Sequence, residues 1–282
     1  MINYYLITKP GIILGNLITV AAGFLLASKG HMYLGLFLAT MLGLTLIIAS
    51  GCIFNNYIDR DLDIKMKRTK NRPLASGQVS VVGALGLAIL LVFLGNGILL
   101  YFTNSLTTAV ADVGFLTYVL LYSFWKSKTV YATAIGSIAG AVPPLVGYCA
   151  VSNQIDLGAV ILFLMLVTWQ MPHFFAIAIL HYEDYRAAGI PTLPISKGIY
   201  RSKIHMVLYI MAFIASTALL TLSGYTGYIY LAVAGGLGTV WLGICLKGFI
   251  AKNDHRWARE MFRFSLVLIT ATSGAILLDV YP

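Results

Sequence analysis

The stretch at residues 55–63 reads NNYIDRDLD and closes a long apolar run. The chain has only ten acidic residues, and three of them lie in this stretch. Acidic side chains are costly in or near a bilayer, so their presence there is a functional signal. A helix that continues through the stretch places Asn55, Asp59 and Asp63 at successive turns of one face. Three oxygen-bearing side chains in a row suit Mg²⁺, which takes a few carboxylates and completes its shell with water and phosphate.

The overall composition places the chain in a membrane. Of its 282 residues, 59% are hydrophobic and 10% are charged, and the mean hydropathy is +0.86. A soluble domain carries roughly 25% charged residues. The net charge of +9 is explained by basic residues collecting in loops on one side of a membrane. No soluble basic face is present in the sequence, so we do not expect nucleic acid as a partner.

Nine apolar runs have the length of transmembrane helices and predict an all-α, polytopic protein embedded in the lipid bilayer. The predicted spans lie near residues 11–28, 33–57, 81–101, 106–124, 130–150, 157–180, 204–222, 226–246 and 260–279.

The distribution of basic residues predicts the orientation of these spans. If the N-terminus is cytoplasmic, every Lys and Arg except Lys29 falls in a segment on the cytoplasmic side. So uneven a distribution predicts an N-in, C-out protein of the plasma or inner membrane, with its active site on the cytoplasmic side.

Two long polar connections follow the second and sixth spans and are predicted on the same side. The second connection contains HYEDYR at 181–186 and then PTLPISKG at 191–198, which echoes PLASG at 73–77 in the first. An acidic helix end, Pro-Leu, and then Ser and Gly recur four spans apart. This pattern predicts one domain of two pseudo-repeat halves, roughly 1–128 and 129–282.

Acidic helix ends beside basic residues indicate a site for an anion that travels with a metal. Carboxylates hold Mg²⁺, Mg²⁺ bridges phosphate oxygens, and Arg or Lys neutralises the remaining charge. Because the surroundings are apolar, the anion is expected to carry a lipid tail, and a prenyl diphosphate fits this description. Ionising its carbon–oxygen bond leaves an allylic cation and pyrophosphate, which a metal and arginines stabilise.

The first acidic stretch, together with Arg68-Thr69-x-x-Arg72-Pro73-x-x-x-Gly77, resembles the first signature of the UbiA-type intramembrane prenyltransferases. A closer resemblance, to the heme-modifying branch, covers essentially the whole chain. It depends on four segments: TKPG at 8–11, ASGCIFNN at 49–56, AVPPLVGY at 141–148 and WQMPH at 169–173.

The resemblance implies nine helices around a central cavity that opens to the membrane. It implies transfer of a farnesyl group from farnesyl diphosphate to the 2-vinyl group of heme b, with addition of water, to give heme O. Heme b would be a substrate and Mg²⁺ the cofactor. Heme A synthase or a terminal oxidase would be partners that receive the product.

The resemblance also implies roles for individual residues. Asp59 and Asp63 would hold Mg²⁺ with help from Asn55, and all three are counted as catalytic together with Asp184. The candidates for binding the diphosphate are Arg68, Lys70, Arg72, Lys126 and Lys128. Alternatively, Lys126 and Lys128 are basic loop residues that mark the orientation and do not bind the diphosphate.

The second acidic segment departs from the superfamily pattern. That pattern has two aspartates four residues apart, whereas here Asp184 is followed by Ala188. Asp184 is therefore the predicted ligand of a second metal, with Glu183 as a weaker choice, and the full ligand set is left open.

Two histidines and two tyrosines are further candidates for substrate binding. His173 and His181 have side chains that can ligate heme iron, bind a propionate or act as a base, with a packed, hydrogen-bonded histidine as the alternative. Tyr118 and Tyr122 lie one helical turn apart, where they either line the cavity or belong to an interfacial belt.

Two other functions remain open at this stage. The chain could prenylate an aromatic quinone precursor by the same chemistry, although the segment at 169–173 and the single aspartate of the second acidic segment argue against it. It could also be a secondary transporter, but a transporter places its acids within spans, and here nearly all lie at span ends. A structural subunit of a respiratory complex would leave the acidic stretch unexplained.

Overall fold

The computed structural model describes residues 2–280. Within this range the secondary structure is helical apart from a single isolated bridge between Thr226 and Val280. Nine helical segments in this range are long and apolar enough to cross a membrane: Pro10–Ala27, Leu34–Asp63, Val81–Phe102, Ser105–Trp125, Ala132–Ser152, Leu157–Leu180, Ile199–Leu222, Tyr228–Ile250 and Asp254–Leu278. The predicted fold class and the number of spans are therefore confirmed.

The α-helices of the described range vary in length from 3 residues to 30 residues. They are α1 Ile2–Ile7, α2 Pro10–Ala27, α3 Leu34–Asp63, α4 Val81–Phe102, α5 Ser105–Leu116, α6 Ser123–Trp125, α7 Ala132–Gly140 and α8 Val142–Ser152. The second half contains α9 Leu157–Leu180, α10 Tyr182–Ala187, α11 Leu193–Lys197, α12 Ile199–Leu222, α13 Tyr228–Lys247 and α14 Asp254–Leu278.

Some helices extend beyond the apolar runs that predicted them. The second span continues to Asp63 instead of ending near residue 57, and the last begins at Asp254 instead of near 260. The start of the last helix is capped by Asn253, whose side chain accepts a hydrogen bond from the Arg256 amide over 2.9 Å. Polar caps and polar helical turns carry no hydropathy signal, so the apolar run alone misplaces these ends.

The long helices pack into one bundle in which the last helix returns to the first long one. Helix α2 packs on α8, α3 on α4, α9 on α12, and α13 on both α12 and α14. The last helix, α14, returns to contact α2 and α9. At the crossing of α2 and α8, a Cβ at Gly23 would collide with the backbone of Pro144, and one at Gly147 would collide with the carbonyl of Val20. Glycine is required there because it lets two backbones approach closely in lipid.

The fourth span changes its helical geometry before it ends. Helix α5 passes into a π-helix at Thr117–Tyr122, and α6 follows directly. π-Helical turns are rare and are frequent at functional sites. This turn carries Tyr118 and Tyr122, both of which were predicted as candidate site residues.

The two long polar connections meet at one end of the bundle. Met66 from the first connection forms a small apolar cluster with Ala188 and Ile190 from the second, and Leu62 and Tyr185 pack against it. The prediction that both connections lie on the same side is confirmed. The direction in which the bundle crosses the membrane stays a prediction.

Candidate active site

The last turns of α3 form the centre of the candidate site. Asn55, Asp59 and Asp63 lie on one face of this continuous helix and are buried, with Asp59 and Asp63 each only 1% exposed. The i, i+4, i+8 spacing therefore aligns the three side chains along one face of the helix, and their role as metal ligands stays a prediction. Two buried carboxylates must be neutralised by cations, because an unpaired charge is costly to desolvate.

Asp59 is neutralised by the fourth span. Its Oδ2 forms an ion pair with Nζ of Lys126, which directly follows α6. Its other oxygen, Oδ1, is buried and has no hydrogen-bond partner among residues 2–280. Lys126 thus lies at the site. Asp59 keeps one carboxylate oxygen that is free to accept a hydrogen bond or to bind a cation.

Asp63 is neutralised by the first polar connection. Arg72 donates from Nη1 to both carboxylate oxygens, at 3.0 and 2.9 Å. The connection is folded back by Thr69, whose hydroxyl donates to the Asp63 carbonyl at 3.0 Å. Arg72 is therefore held beside the acidic face, and its role in binding a diphosphate stays a prediction.

Asn55 is held by two residues whose place in the site the sequence pattern did not predict. Lys9 donates from Nζ to Asn55 Oδ1 over 2.6 Å, and Asn55 Nδ2 donates to the Ser123 hydroxyl over 3.0 Å. The next residue, Asn56, donates to the carbonyl of Ile7 over 2.8 Å. These bonds tie the junction of α1 and α2 and the start of α6 to α3.

Lys9 occupies an unusual backbone conformation. With φ 54° and ψ 65° it is left-handed, which is uncommon for a residue other than glycine. Burial lowers the pKa of its amine to about 8. Strained backbone tends to persist where the surroundings fix it for function. The only sequence signal was the position of Lys9 before Pro10 in the TKPG segment.

Tyr118 and Tyr122 stack on each other beside this array. Their ring centroids are 5.6 Å apart and their planes are 11° from parallel. The Tyr118 ring lies against Gly51 of α3, and the Tyr122 ring covers Gly136 of α7, where a Cβ would overlap it. Both side chains are half-buried and packed against other helices, which favours a lining position over an interfacial belt, and their part in substrate binding stays a prediction.

A side chain of the second acidic segment contacts the backbone of the first polar connection. Asp184 Oδ1 accepts a hydrogen bond from the Lys67 amide over 2.9 Å. Glu183 instead pairs with Arg186 at 2.5 Å on the surface, where both side chains are largely exposed. Between the two acids, Asp184 is the one placed against the first connection.

Three of the basic residues predicted for the diphosphate site are exposed: Arg68, Lys70 and Lys128. None of them forms an ion pair within residues 2–280. They lie on the connections around the site, whereas Lys126 and Arg72 lie inside it.

His173 belongs to a buried group between α9 and α14. Its Nδ1 is 2.7 Å from the Ser265 hydroxyl, and its ring stacks on Trp169 with centroids 4.8 Å apart. Trp169 Nε1 donates to the Ser265 carbonyl at 3.0 Å. This arrangement fixes the ring of His173 and engages Nδ1, so a metal or ligand would meet Nε2.

His181 lies just beyond the end of α9 and is half-buried. Burial lowers its pKa, and the positive charge of Arg68 lowers it further, whereas Asp184 acts in the opposite sense. The imidazole is therefore predominantly neutral near pH 7, the form that binds metals or accepts hydrogen bonds.

Gln170 is a further buried polar residue that the sequence pattern did not predict for the site. It is buried in the sixth span, and its Oε1 has no partner among the described residues. Its amide lies against Gly140 of α7. One turn earlier on the same helix, Gly136 packs against the Tyr122 ring. A buried amide without a partner has free capacity to bind a polar group on a substrate.

The donor set at the end of α3 fits Mg²⁺ better than it fits a transition metal. Within residues 2–280 no three His, Cys, Asp or Glu side chains form a cage. Mg²⁺ does not need one, because it is held by one or two carboxylates and fills its shell with water and phosphate. Asp59 Oδ1, which has no partner among residues 2–280, is a hard oxygen donor of the required kind. Asn55 Oδ1 is a second such oxygen, and it also accepts the bond from Lys9.

Comparison with known proteins identifies close relatives over nearly the whole chain. A protoheme IX farnesyltransferase of Protochlamydia amoebophila (strain UWE25) is 58% identical over 280 residues, covering 99% of each chain. The protoheme IX farnesyltransferase of Yersinia pseudotuberculosis serotype O:1b (strain IP 31758) is 52% identical over 281 residues, covering 99% of this chain and 95% of the relative.

Solved structures share the fold at low sequence identity. A digeranylgeranylglyceryl phosphate synthase superposes with a TM-score of 0.80 at 19% identity, covering 98% of this chain and 96% of the other. A UbiA homologue from Archaeoglobus fulgidus, bound to GPP and Mg²⁺, superposes with a TM-score of 0.67 at 17% identity over 98% and 99% of the two chains. The UbiA prenyltransferase family profile matches residues 16–267, and this chain is a member of that family.

Proposed function

We propose that this protein transfers the farnesyl group of farnesyl diphosphate to the 2-vinyl group of heme b, with addition of water, and so produces heme O. The observation that carries the proposal is the buried face of Asn55, Asp59 and Asp63 with its surrounding cations, in a chain 58% identical to a protoheme IX farnesyltransferase. No feature of the described residues favours the quinone-precursor or transporter alternatives over this one.

The site supplies what departure of a diphosphate requires. When bound, Mg²⁺ neutralises the phosphate oxygens and stabilises the leaving pyrophosphate. Asp59, Asn55 and Asp63 are the residues that would hold it, and Asp184 would contribute from the second segment. Lys126 and Arg72, which lie beside these acids, would pair with diphosphate oxygens. The exposed Arg68, Lys70 and Lys128 would add charge at the entrance, by which we mean the end of the bundle where the polar connections meet.

The organic step follows from the polarity of the site. The carbon–oxygen bond of farnesyl diphosphate breaks and its electron pair leaves with pyrophosphate. The π electrons of the heme vinyl group form the new carbon–carbon bond to the allylic carbon. The resulting cation beside the pyrrole takes the oxygen of water, and the proton released passes to pyrophosphate or solvent.

Aromatic side chains assist the cationic stages. The stacked rings of Tyr118 and Tyr122 present π density next to the acidic face, where an allylic cation would form. His173, held by Ser265 and Trp169, is assigned to the heme, and His181 to the entrance beside Asp184. Gln170 is the buried polar group available to the acceptor or the water.

The cellular setting is part of the proposal. The distribution of basic residues favours acidic helix ends on the cytoplasmic side of a plasma or inner membrane, with the N-terminus inside and the C-terminus outside. Heme A synthase or a terminal oxidase would receive the product.

The product mass tests the function. Purified protein incubated with heme b, farnesyl diphosphate and Mg²⁺ should convert heme to a species carrying a hydroxyethylfarnesyl group. Unchanged heme together with prenylation of an aromatic acid offered in parallel would contradict the assignment of the acceptor. No product with either acceptor would contradict the reaction class.

A further inference from the structure

The last helix carries a basic groove on the side that faces away from the bundle. Arg256, Arg259 and Arg263 of α14 line it together with an apolar wall formed by Ile244, Phe264 and Val267, and its volume is about 610 Å³. All three arginines are exposed. The groove is distinct from the site at the end of α3, since none of its lining residues contributes to that site.

The helix geometry separates this groove from the interior. At about 100° per residue, the three arginines fall within about 60° of one another and at least about 120° from Ser265. Ser265 is the residue that contacts His173 in the interior. The same helix thus presents one face to the proposed heme side and the opposite face, with the groove, to the surrounding lipid.

The depth of the arginines is unusual for a lipid-facing helix. From Arg263 to Leu278 the helix has no further charged residue, and this segment is about 22 Å long at about 1.5 Å per residue. The hydrocarbon core is about 30 Å thick, so with Leu278, the last residue of the helix, at its opposite boundary, Arg263 and Arg259 would fall within the core or at its near boundary. The adjacent α13 has no charged residue from Tyr228 to Leu246, and its first charge, Lys247, stands at the end of the helix.

Among the lining residues of the groove, three arginines stand against a single acidic side chain, Glu260. Within residues 2–280 none of the three guanidinium groups forms an ion pair. A charge at this depth is costly unless an opposite charge accompanies it. Guanidinium groups pair with phosphate through two parallel hydrogen bonds, which makes phosphate the fitting counter-charge.

We propose that this groove is a binding site for an anionic phospholipid. The phosphate of the lipid pairs with Arg259 and Arg263, Arg256 adds charge at the headgroup, and an acyl chain lies along Ile244, Phe264 and Val267. A phosphate alone would leave the apolar wall in contact with water, and a hydrocarbon alone would leave the arginines unpaired. Basic pockets between transmembrane helices are known to suit anionic headgroups.

Lipid retention in native mass spectrometry tests the proposal. The purified full-length protein is equilibrated with equal amounts of phosphatidylglycerol and phosphatidylcholine in mixed micelles, and the lipid-bound fractions are measured. We expect phosphatidylglycerol to be retained preferentially. The double variant R259Q/R263Q should weaken that retention by about tenfold, because two charge-assisted hydrogen-bonding groups are lost.

Matched variants keep the result specific. Lys252→Gln removes an exposed charge from the neighbouring connection, outside the groove, and should retain lipid like the unsubstituted protein. R259K/R263K keeps the charge and should retain more lipid than R259Q/R263Q. Size-exclusion profiles and thermal unfolding establish that each variant is folded, and Val267→Trp, which fills the apolar wall, provides a second test if R259Q/R263Q fails to fold.

Three results would overturn the proposal. Equal retention of phosphatidylcholine and phosphatidylglycerol would show that the groove does not discriminate between lipids by headgroup charge. Unchanged retention of phosphatidylglycerol by R259Q/R263Q would place the lipid elsewhere. Displacement of the lipid by millimolar inorganic phosphate would identify a site for free phosphate instead of a lipid.

Discussion

Lys9 and Asn55 are joined by a 2.6 Å hydrogen bond from the lysine Nζ to the asparagine Oδ1. They are 46 positions apart in sequence, and the lysine adopts a left-handed backbone at the break between α1 and α2. The bond sets the orientation of the Asn55 amide, because the other end of that amide donates to Ser123. The N-terminal segment thus takes part in the site although it lies outside the acidic signature.

Replacing Lys9 should therefore impair the reaction without removing any acidic residue. Lys9→Met keeps the length of the side chain and removes its charge and its bond to Asn55. We expect kcat/KM for farnesyl diphosphate to fall by between about tenfold and 100-fold, the value of a hydrogen bond to a charged group. Steady-state kinetics measured by product mass provide the check.

Lys29→Met is the matched control for this substitution, since Lys29 is exposed on the connection after α2. It should leave the kinetic constants unchanged. Full activity of Lys9→Met would show that the contact with Asn55 is structural only.

Removal of the charge at Asp59 should separate stability from activity. In Asp59→Asn, Lys126 is left mostly buried without its carboxylate partner, which should lower the free energy of unfolding by about 3 kcal/mol. Activity should fall at least about 100-fold, because the site loses a ligand for the metal. The double variant Asp59→Asn/Lys126→Met should recover stability but not activity.

Unfolding in a detergent titration and product formation are measured on the same samples. Activity restored in the double variant would contradict the role of these residues in catalysis. A stability of Asp59→Asn equal to that of the unsubstituted protein would contradict the buried ion pair.

The sequence predicted the spans and the acidic face because both depend on local patterns. Apolar runs revealed nine helices within the described range, and a four-residue period placed Asn55, Asp59 and Asp63 together. Lys9, Ser123 and Gln170 were missed because their roles come from contacts between distant segments. The Asn55–Ser123 bond spans 68 positions, and Gln170 is notable only because Gly140 lies against it without supplying a partner.

Other predictions depend on information that the geometry does not carry. The two pseudo-repeat halves, 1–128 and 129–282, stay a prediction, as does the N-in orientation. The π-helix at Thr117–Tyr122 could not be foreseen, since its residues have the sequence pattern of an ordinary apolar helix.

Chelation should weaken binding of the diphosphate as well as turnover. Lys126 and Arg72 already neutralise Asp59 and Asp63, so the diphosphate needs Mg²⁺ to approach these two carboxylates. We expect EDTA to raise the Kd of farnesyl diphosphate by at least about tenfold, and added Mg²⁺ to restore it. Isothermal titration calorimetry measures this directly, without heme. An affinity indifferent to EDTA and to Mg²⁺ would refute the proposed metal.

The ring of Tyr122 should matter more than its hydroxyl. Tyr122→Phe retains the stack with Tyr118 and should keep kcat within a few-fold, whereas Tyr122→Leu removes the π face and should lower kcat by about tenfold. Tyr101→Leu serves as the control because Tyr101 is highly exposed on the surface of the bundle. Equal rates for Tyr122→Phe and Tyr122→Leu would return Tyr122 to a packing role against Gly136.

His173 should be required for heme binding, and Ser265 should tune it. His173→Ala removes the imidazole from the α9–α14 interface, so titration with heme b should lose the shift of the Soret band and the Kd should rise. Ser265→Ala keeps the imidazole but removes the partner 2.7 Å from Nδ1, so the shift should persist with a weaker affinity. His31→Ala, at an exposed position on the connection after α2, should titrate like the unsubstituted protein. If His173→Ala keeps the full Soret shift, the heme is bound by another residue, and His181→Ala then distinguishes the half-buried histidine at the entrance.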